Sequence, residues 1–154
     1  MDEYAQKLRQ FIQDNRIQGE HFIFAQSCHS VAEAAQAANV SRQDFVKNIC
    51  MLDAQGNLIV AIVKGEDRAS TSRVAKALQI ERPRIAHPDE ILAMTGYPCG
   101  GTPSFGYAAR FLIDPKVMEK AIVYTGGGSE QALVRITPQE LQQANQAAVV
   151  RIRS

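Results

Sequence analysis

Two apolar runs separated by a short polar turn constrain the fold of this chain more than any other feature. FVKNICML (45–52) and NLIVAIVK (57–64) flank the turn DAQG (53–56). Apolar runs of this length that are bounded by turn residues are typical of paired strands. We therefore predict a β-hairpin over residues 45–64.

Helical segments are predicted on both sides of this hairpin. Apolar residues recur at helical spacing at Tyr4, Leu8, Phe11 and Ile12, which predicts a first helix that Gly19 closes. Capping residues, first-turn prolines and terminating glycines indicate four more helices. The first of these begins at the capping-box pair Ser30 and Glu33 and ends near Asn39. The second runs from about Ser72 to Gln79, and the third runs from Pro88 to Gly96. The fourth starts at Thr137, with Pro138 in its first turn and Glu140 as the capping partner.

Strand-like runs lie between the helices, and several follow one another as in hairpins. They are HFIFA (21–25), RFLI (110–113), AIVYT (121–125), ALVRI (132–136) and AVVRI (148–152). No internal repeat, low-complexity tract or linker interrupts them. The sequence therefore predicts one mixed α/β domain over residues 1–154, with an irregular, largely antiparallel sheet flanked by helices rather than a regular doubly wound sheet.

Composition limits the class of protein. A chain of 154 residues with 45% hydrophobic and 21% charged residues is ordinary for a globular domain. No run reaches the length of a membrane span, and the polar, acidic N-terminus is unlike a signal peptide. Cys28, Cys50 and Cys99 are irregularly spaced. That spacing fits neither a disulfide framework nor a zinc site and favours a reducing, cytoplasmic setting.

Charge gives one local pattern. The net charge of +1 is no overall signature of nucleic-acid binding. Between residues 64 and 84, however, basic residues outnumber acidic ones: Lys64, Arg68, Arg73, Lys76, Arg82 and Arg84 against Glu66, Asp67 and Glu81. Such a cluster is typical of a solvated face, and it is also compatible with a surface for a phosphate backbone.

Familiar catalytic motifs are missing from the sequence. Ser104 is not in a nucleophile elbow, because Thr102 stands where that motif requires glycine. The run GGGS (126–129) lacks the third glycine of a dinucleotide-binding fingerprint. Cys99 is a candidate nucleophile, but a lone cysteine is more typical of a small apolar residue. Three histidines lack the spacing and neighbouring ligands of a metal site: His21, His29 and His87.

Two glycine-rich loops remain as candidate ligand sites. The first glycine loop lies in GYPCGGTPSFGY (96–107), with its candidate ligand-binding part from Gly100 to Gly106, and the second glycine loop is GGGS (126–129). Glycine lets main-chain N–H and C=O groups approach a ligand closely, and proline fixes their direction. Such N–H donors suit the developing oxyanion of an ester or acyl group. Two irregular turns without a ligand are the alternative.

Lys47 is the third notable feature. Alternation along the strand puts Lys47 on one face with Phe45, Ile49 and Met51. A lysine among apolar side chains is costly to bury without an anionic partner, which makes Lys47 a candidate anion-binding residue. The alternative is that its apolar stem lies along this face while its ammonium group reaches solvent.

Three motifs carry a family resemblance. FVKNI (45–49), GYPCGGTPSFG (96–106) and VYTGGGSEQALVRITPQEL (123–141), in that order, resemble the YbaK-type aminoacyl-tRNA deacylase family, also called the prolyl-tRNA synthetase-associated editing domain. CHSVAEAA (28–35) and VKGEDRASTSRVAKAL (63–78) stand where this family has helices. The resemblance thus spans nearly the whole chain.

The resemblance implies a fold and an activity. It implies a partly barrel-like sheet and a trans-editing enzyme that hydrolyses the ester of mischarged aminoacyl-tRNA at the 3′ acceptor end. It also implies that no metal, cofactor or protein nucleophile is used, and that a hydroxyl of the terminal adenosine assists the attack of water. An aminoacyl-tRNA synthetase is an implied partner.

The sequence departs from the family at two positions. The family loop often reads G-G-x-x-P-x-G, whose proline would fall on Ser104, whereas here Pro103 precedes it. Pro103 matches the first proline of a family version with consecutive prolines. Leu133 stands where YbaK-type cysteinyl-tRNA deacylases carry an aspartate. The departure at Leu133 argues against cysteine specificity but not against a deacylase. The compact glycine–proline loop suggests a small aminoacyl group such as alanine, serine or cysteine, and the sequence does not fix which one.

The resemblance also implies a set of site residues. The family's lysine falls on Lys47, which would hold the terminal nucleotide through a phosphate or acyl oxygen. The aminoacyl pocket would be shaped by Gly100, Gly101, Thr102, Pro103 and Ser104, within the family's glycine–proline loop, and its facing wall by Gly127, Gly128 and Ser129. A non-catalytic module of the same fold that binds tRNA or a synthetase is the alternative function.

Overall fold

The structure, a computed structural model, describes residues 2–24, Ala35 and residues 41–154. Its helices are α1 (Glu3–Asp14), α2 (Thr71–Leu78), α3 (Pro88–Thr95), α4 (Pro115–Met118) and α5 (Pro138–Asn145). Its strands are β1 (Gly19–Ile23), β2 (Val46–Leu52), β3 (Leu58–Lys64), β4 (Arg84–Ile85), β5 (Arg110–Ile113), β6 (Val123–Gly126), β7 (Ala132–Ile136) and β8 (Ala148–Val149). Apart from Ala35, the helix predicted from Ser30 to Asn39 lies outside the described residues.

The strands form two sheets. The larger has five strands in the order β4-β2-β3-β5-β8, and the smaller has three in the order β1-β7-β6. The predicted hairpin is present, with β2 and β3 antiparallel from Val46↔Lys64 to Leu52↔Leu58. The pairs β3–β5 and β5–β8 are parallel, and the remaining pairs are antiparallel. The mixed α/β prediction is confirmed.

The two sheets meet where Phe45, just before β2, bridges Tyr124 of β6. Their aromatic rings lie 5.3 Å apart between centroids, which adds side-chain packing to this junction. Across the described residues the sheets do not close into a barrel, so the barrel-like character implied by the resemblance is absent.

The core explains why the β2–β3 run is so continuously apolar. On one face of β3, Val60 and Ile62 belong to a cluster that also contains Cys50. On the other face, Ile59 and Ala61 pack in a second cluster with Val74 of α2. A strand covered on both faces needs apolar residues at every position, which is why alternation is lost there.

The first helix ends earlier than the sequence predicts. It stops at Asp14, because Arg16 adopts a left-handed φ of 54°. The N–H of Ile17 then donates to the carbonyl of Ile12 at 3.0 Å, as in a Schellman motif. Gly19 does not close the helix and is instead the first residue of β1.

The last strand is shorter than the sequence predicts. The run AVVRI forms only two strand residues, Ala148 and Val149. The N–H groups of Ile152 and Arg153 donate to Oδ1 of Asp114 at 3.0 and 3.2 Å. A buried carboxylate therefore replaces a neighbouring strand as the acceptor.

The other predicted elements agree with the structure within a few residues. Thr137 caps α5 by accepting from the N–H of Glu140 at 3.2 Å, and Pro138 is the first helical residue. Pro88 opens α3 and Gly96 follows its last residue. None of the helices in the described part of the chain is long and apolar enough to cross a membrane.

Candidate functional site

A cavity of about 390 Å³ lies beside β2. On this side, among the described residues, β4 pairs with β2 only at Met51 and Leu52. The earlier part of β2 is therefore not covered by β4, and residues 45–50 line the cavity from both faces of the strand. The other walls come from the start of α3, from the first glycine loop, from Thr125 and Gly126, and from Ala132 and Leu133.

The predicted site residues fall into two groups. Lys47, Gly100 and Thr102 line the cavity. The others are buried and do not belong to its lining: Gly101, Pro103, Ser104, Gly127, Gly128 and Ser129. The functional roles of all nine stay predictions.

Lys47 is a half-buried cation on the cavity wall. Burial lowers the pKa of Lys47 below its ordinary 10.5, and the nearby charge of Arg68 lowers it further while Asp67 opposes the shift. No ion pair joins Lys47 to a carboxylate of any described residue. Among the residues that the structure describes, the Lys47 ammonium group therefore has no carboxylate partner.

A hydroxyl–amide ring is made by the side chains of Asn48, Ser104 and Thr125. Asn48 and Thr125 line the cavity, whereas Ser104 is fully buried and does not. The amide nitrogen of Asn48 donates to Oγ1 of Thr125 at 2.9 Å, and Oγ of Ser104 donates to Oδ1 of Asn48 at 2.6 Å. The two hydroxyl oxygens lie 2.7 Å apart. Because the Ser104 proton is already used, Thr125 is the donor in that third bond. The ring is therefore closed, and each residue donates a hydrogen bond to the next: Asn48 to Thr125, Thr125 to Ser104, and Ser104 to Asn48.

The first glycine loop is held by side chains from outside the cavity. The hydroxyl of Tyr107 donates to the carbonyl of Pro103 at 2.6 Å, and Nδ2 of Asn145 donates to the carbonyl of Ser104 at 2.9 Å. The second proton of the Asn48 amide goes to the carbonyl of Thr102 at 3.0 Å. Successive carbonyls of the loop thus have fixed directions.

The two glycine loops pack directly against each other. The N–H of Gly128 donates to the carbonyl of Gly101 at 2.8 Å. A Cβ at Gly101 would overlap the backbone of Ser129. Gly128 has a φ of +103°, and a Cβ there would lie 2.6 Å from the carbonyl oxygen of Tyr4. The glycines at these positions permit close approach between backbones.

The second glycine loop is also fixed by α1 and β1. Nε2 of His21 lies 2.8 Å from the carbonyl oxygen of Gly127, while Nδ1 accepts from Nε of Arg9 at 3.1 Å. Both contacts are satisfied by a neutral imidazole with its proton on Nε2. Burial lowers the pKa of His21 below its ordinary 6.5, although the Gly127 hydrogen bond opposes this, and the charge of Arg9 lowers it further.

Cys50 and Cys99 both lie at the cavity, and Cys28 lies outside the described residues. Cys99 is exposed and lines the cavity, and Cys50 is buried in its wall. Burial raises the pKa of the Cys50 thiol to about 12, with a smaller contribution from Cys99. Within the described ranges, no group of three or more His, Cys, Asp or Glu side chains could hold a metal ion.

The basic cluster between residues 64 and 84 is partly neutralised. Lys64 pairs with Glu66 at 3.1 Å, and Arg84 pairs with Glu90 at 2.6 Å. Hydrogen bonds from Arg84 lower the pKa of Glu90 to about 2. These pairs favour the solvated-face interpretation for part of the cluster.

Sequence reasoning missed Asn48 and Thr125 as parts of the site. Asn48 stood out as a polar residue on an otherwise apolar strand face, and that pattern could have flagged it. Thr125 did not stand out in the sequence in this way, because threonine is common in strands.

Comparison with known proteins identifies the family. The model of the aminoacyl-tRNA editing domain matches residues 25–144. The uncharacterized protein YwhH of Bacillus subtilis (strain 168) is 26% identical over 122 residues, which are 78% of this chain and 77% of that protein. A proline–tRNA ligase of Anaeromyxobacter sp. (strain Fw109-5) is 27% identical over 78 residues, half of this chain but only 14% of the ligase.

Solved structures share the fold over almost the full chain. The hypothetical protein APE2540 superposes with a TM-score of 0.88 at 28% identity and covers 96% of this chain and 99% of its own. A candidate trans-editing enzyme for prolyl-tRNA synthetase superposes with a TM-score of 0.91 over 100% of this chain and 99% of its own. At 23% identity, this second likeness shows the fold alone. Because the family model matches well over half of the chain, this protein belongs to the aminoacyl-tRNA editing domain family.

Proposed function

We propose that this protein is a trans-editing aminoacyl-tRNA deacylase. It cleaves the ester bond of mischarged aminoacyl-tRNA in the cytoplasm and releases free amino acid and tRNA. Its partners are the 3′ acceptor end of the tRNA and, through that tRNA, an aminoacyl-tRNA synthetase. Membership of the editing-domain family supports this proposal.

The observation that carries the proposal is the position of Lys47. A half-buried ammonium group that forms no ion pair with the described residues lines a cavity beside the first glycine loop. An apolar wall strengthens its attraction for an anion, because fewer water molecules screen the charge. The 3′ end of tRNA offers phosphates and a polarised acyl oxygen for such a cation.

The proposed reaction needs no covalent enzyme intermediate. Lys47 holds a phosphate or the acyl oxygen of the terminal nucleotide, while Gly100 and Thr102 line the space for the aminoacyl group. Water attacks the carbonyl carbon, the ester C–O bond breaks, and the ribose oxygen leaves with a proton. The buried glycines and Ser129 keep the two loops in place. Positioning of an already activated ester is the main contribution of the protein.

Replacement of Lys47 tests the proposal. We expect Lys47→Ala to fold normally, to bind tRNA within a few-fold of the parent and to lose on the order of a hundredfold in single-turnover deacylation, because the ester is misplaced. Lys47→Arg should restore little activity, since a planar guanidinium does not replace a compact ammonium. The substrates are tRNAs charged with alanine, serine or cysteine, at one stated salt concentration.

Two controls accompany this test. Lys116→Ala removes an exposed lysine on α4 that pairs with Glu119, and it should keep the parent rate. Prolonged treatment with EDTA should also leave the rate unchanged. A parent rate in Lys47→Ala would contradict the assigned role, and zinc-dependent recovery after EDTA would contradict metal-free hydrolysis. Binding of tRNA by a parent protein that hydrolyses none of the three esters would favour a non-catalytic module.

A further inference from the structure

The hydroxyl–amide ring has no proton left for a ligand. Asn48 uses both amide protons, on Thr125 and on the Thr102 carbonyl, and each hydroxyl uses its single proton within the ring. Ser104 is 0% and Thr125 1% exposed. These side chains cannot donate to a substrate without breaking a bond they already make.

The three members of the ring come from three different walls of the cavity. Asn48 lies on β2 directly after Lys47, Ser104 lies in the first glycine loop, and Thr125 lies on β6. In the sequence, Ser104 lies 56 positions after Asn48 and Thr125 lies 77 positions after it. The ring is therefore a tertiary connection between the strand that carries Lys47 and the backbone that lines the opposite wall.

We propose that this ring sets the position of the first glycine loop relative to Lys47, so that Ser104 and Thr125 are positioning residues for ester hydrolysis. This inference rests on the proposed deacylase function. The ring acts through the Thr102 carbonyl, which Asn48 holds at 3.0 Å, and Thr102 itself lines the cavity. Ser104 thus acts from behind the wall instead of contacting the aminoacyl group.

The physical consequence is specific. If the ring opens, the Thr102 carbonyl loses a rigid donor and the loop gains freedom to move away from β2. The substrate can still enter, because Lys47 is unchanged and a substitution that keeps the shape of Thr125 leaves the space in the cavity unchanged. A displacement of about 1 Å between reacting groups can cost on the order of a hundredfold in rate. Opening the ring should therefore lower the rate of the chemical step much more than it weakens binding.

Thr125 allows a clean test with two substitutions. Thr125→Val keeps the shape of the side chain and removes the hydroxyl, while Thr125→Ser keeps the hydroxyl. We expect Thr125→Val to lower the saturating single-turnover rate by about tenfold to a hundredfold, with a half-saturating concentration within about threefold of the parent. Thr125→Ser should restore the rate to within about threefold, because the ring can close again.

Thr137→Val is the matched control. It removes a threonine hydroxyl that caps α5, at a position that does not line the cavity, so it loses stability without opening the ring. Rates are measured well below the unfolding temperature of each variant. A rate for Thr125→Val within twofold of the parent would overturn the inference. Failure of Thr125→Ser to recover activity would also overturn it.

Hydrogen exchange separates this inference from the proposed function. Mass spectrometry of peptides covering residues 98–106 should show faster amide exchange in Thr125→Val than in the parent, Thr125→Ser or Thr137→Val. Unchanged exchange would overturn the role of the ring even if the parent is a deacylase. A parent protein without deacylase activity would instead overturn the proposed function, whatever the exchange data show.

Discussion

The two glycine loops look alike in sequence but differ in what surrounds them. The second glycine loop is enclosed after Gly126, which lines the cavity: Gly127 and Gly128 are buried against β7, α1 and the first glycine loop. The first glycine loop is fixed from one side and open on the other, where Cys99 and Gly100 are exposed and line the cavity. Glycine content alone therefore does not identify a ligand site. What distinguishes a candidate binding loop is one face held by the protein and one face left open.

The largest expected effect is the loss of stability on substitution in the enclosed loop. Gly128→Ala places a Cβ 2.6 Å from the Tyr4 carbonyl oxygen at a φ of +103°. We expect a loss of roughly 3 kcal/mol or more in the free energy of unfolding, since backbone strain adds to overpacking. Gly56→Ala is the matched control, because its φ is +82° with nothing within 4 Å of the new Cβ. It should lose only about 1 kcal/mol.

Urea denaturation of both variants and the parent measures this difference. Equal losses for Gly128→Ala and Gly56→Ala would show that the second glycine loop can move away from α1. That result would remove the distinction between an enclosed loop and an open one.

The second expected effect concerns the held side of the first glycine loop. Ser104→Ala leaves Oδ1 of Asn48 without its donor, in a site where Ser104 is 0% exposed. We expect a loss of about 1–3 kcal/mol in the free energy of unfolding, the usual effect of an unsatisfied buried polar group. Ser72→Ala, at an exposed position on α2, should change stability by less than about 0.5 kcal/mol. If Ser104→Ala and Ser72→Ala were equally stable, the hydrogen bonds of Ser104 would not be holding the buried side of the first glycine loop in place.

The third expected effect is a pH dependence of the enclosed loop. The pKa of His21 is lowered in the folded protein, chiefly by burial, so the unfolded chain binds this proton more readily. The stabilisation is complete above the unfolded pKa of about 6.5 and is lost as pH falls through the folded pKa. Protonated His21 could no longer accept from Arg9.

Thermal unfolding between pH 7.5 and pH 5.5 measures this contribution. We expect the Tm of the parent to decline by a few degrees at most, which corresponds to a loss on the order of 1 kcal/mol or less in the free energy of unfolding. His21→Gln should show a flatter profile and a lower Tm at pH 7.5. An equally steep decline in His21→Gln would assign the pH dependence to other groups.

The smallest expected effect is on the open side of the first glycine loop. Cys99→Ser changes an exposed side chain, so we expect stability within about 0.5 kcal/mol of the parent. Deacylation should stay within about twofold, because no step of the proposed reaction uses the thiol. Intact-protein mass spectrometry during turnover should show no added aminoacyl group on the parent. A covalent adduct on Cys99 would instead support thiol catalysis.

Local features of the fold were predictable from the sequence because their causes are local. Pro88 and Thr137 mark helix starts within one turn of the residues they affect, and the β2–β3 hairpin is read from two adjacent runs. The early end of α1 at Asp14 was missed, because Arg16, a non-glycine residue, takes the left-handed conformation that is usually adopted by glycine after a helix. The truncated β8 was missed because its competitor, Asp114, lies far away in sequence.

The candidate site was predictable only in part for the same reason. Lys47 and the two glycine loops stand out by residue type, so the sequence indicated them without indicating their neighbours. Contacts such as Asn48 with Thr125 join residues that are 77 positions apart, and no spacing rule reveals them. Which glycines face the cavity and which face each other likewise depends on the tertiary packing of the loops.

The closed hydroxyl–amide ring also constrains how this sequence can evolve. A first substitution at Asn48, Ser104 or Thr125 leaves the remaining side chains without a hydrogen-bonding partner, so it causes most of the loss in the free energy of unfolding. Once one member has become apolar, changing the others removes groups that are already unsatisfied and should cost less than each change would alone. The three positions are therefore epistatic. Descendants of this chain should keep all three polar side chains or replace them together, and intermediates with one partner missing should be short-lived.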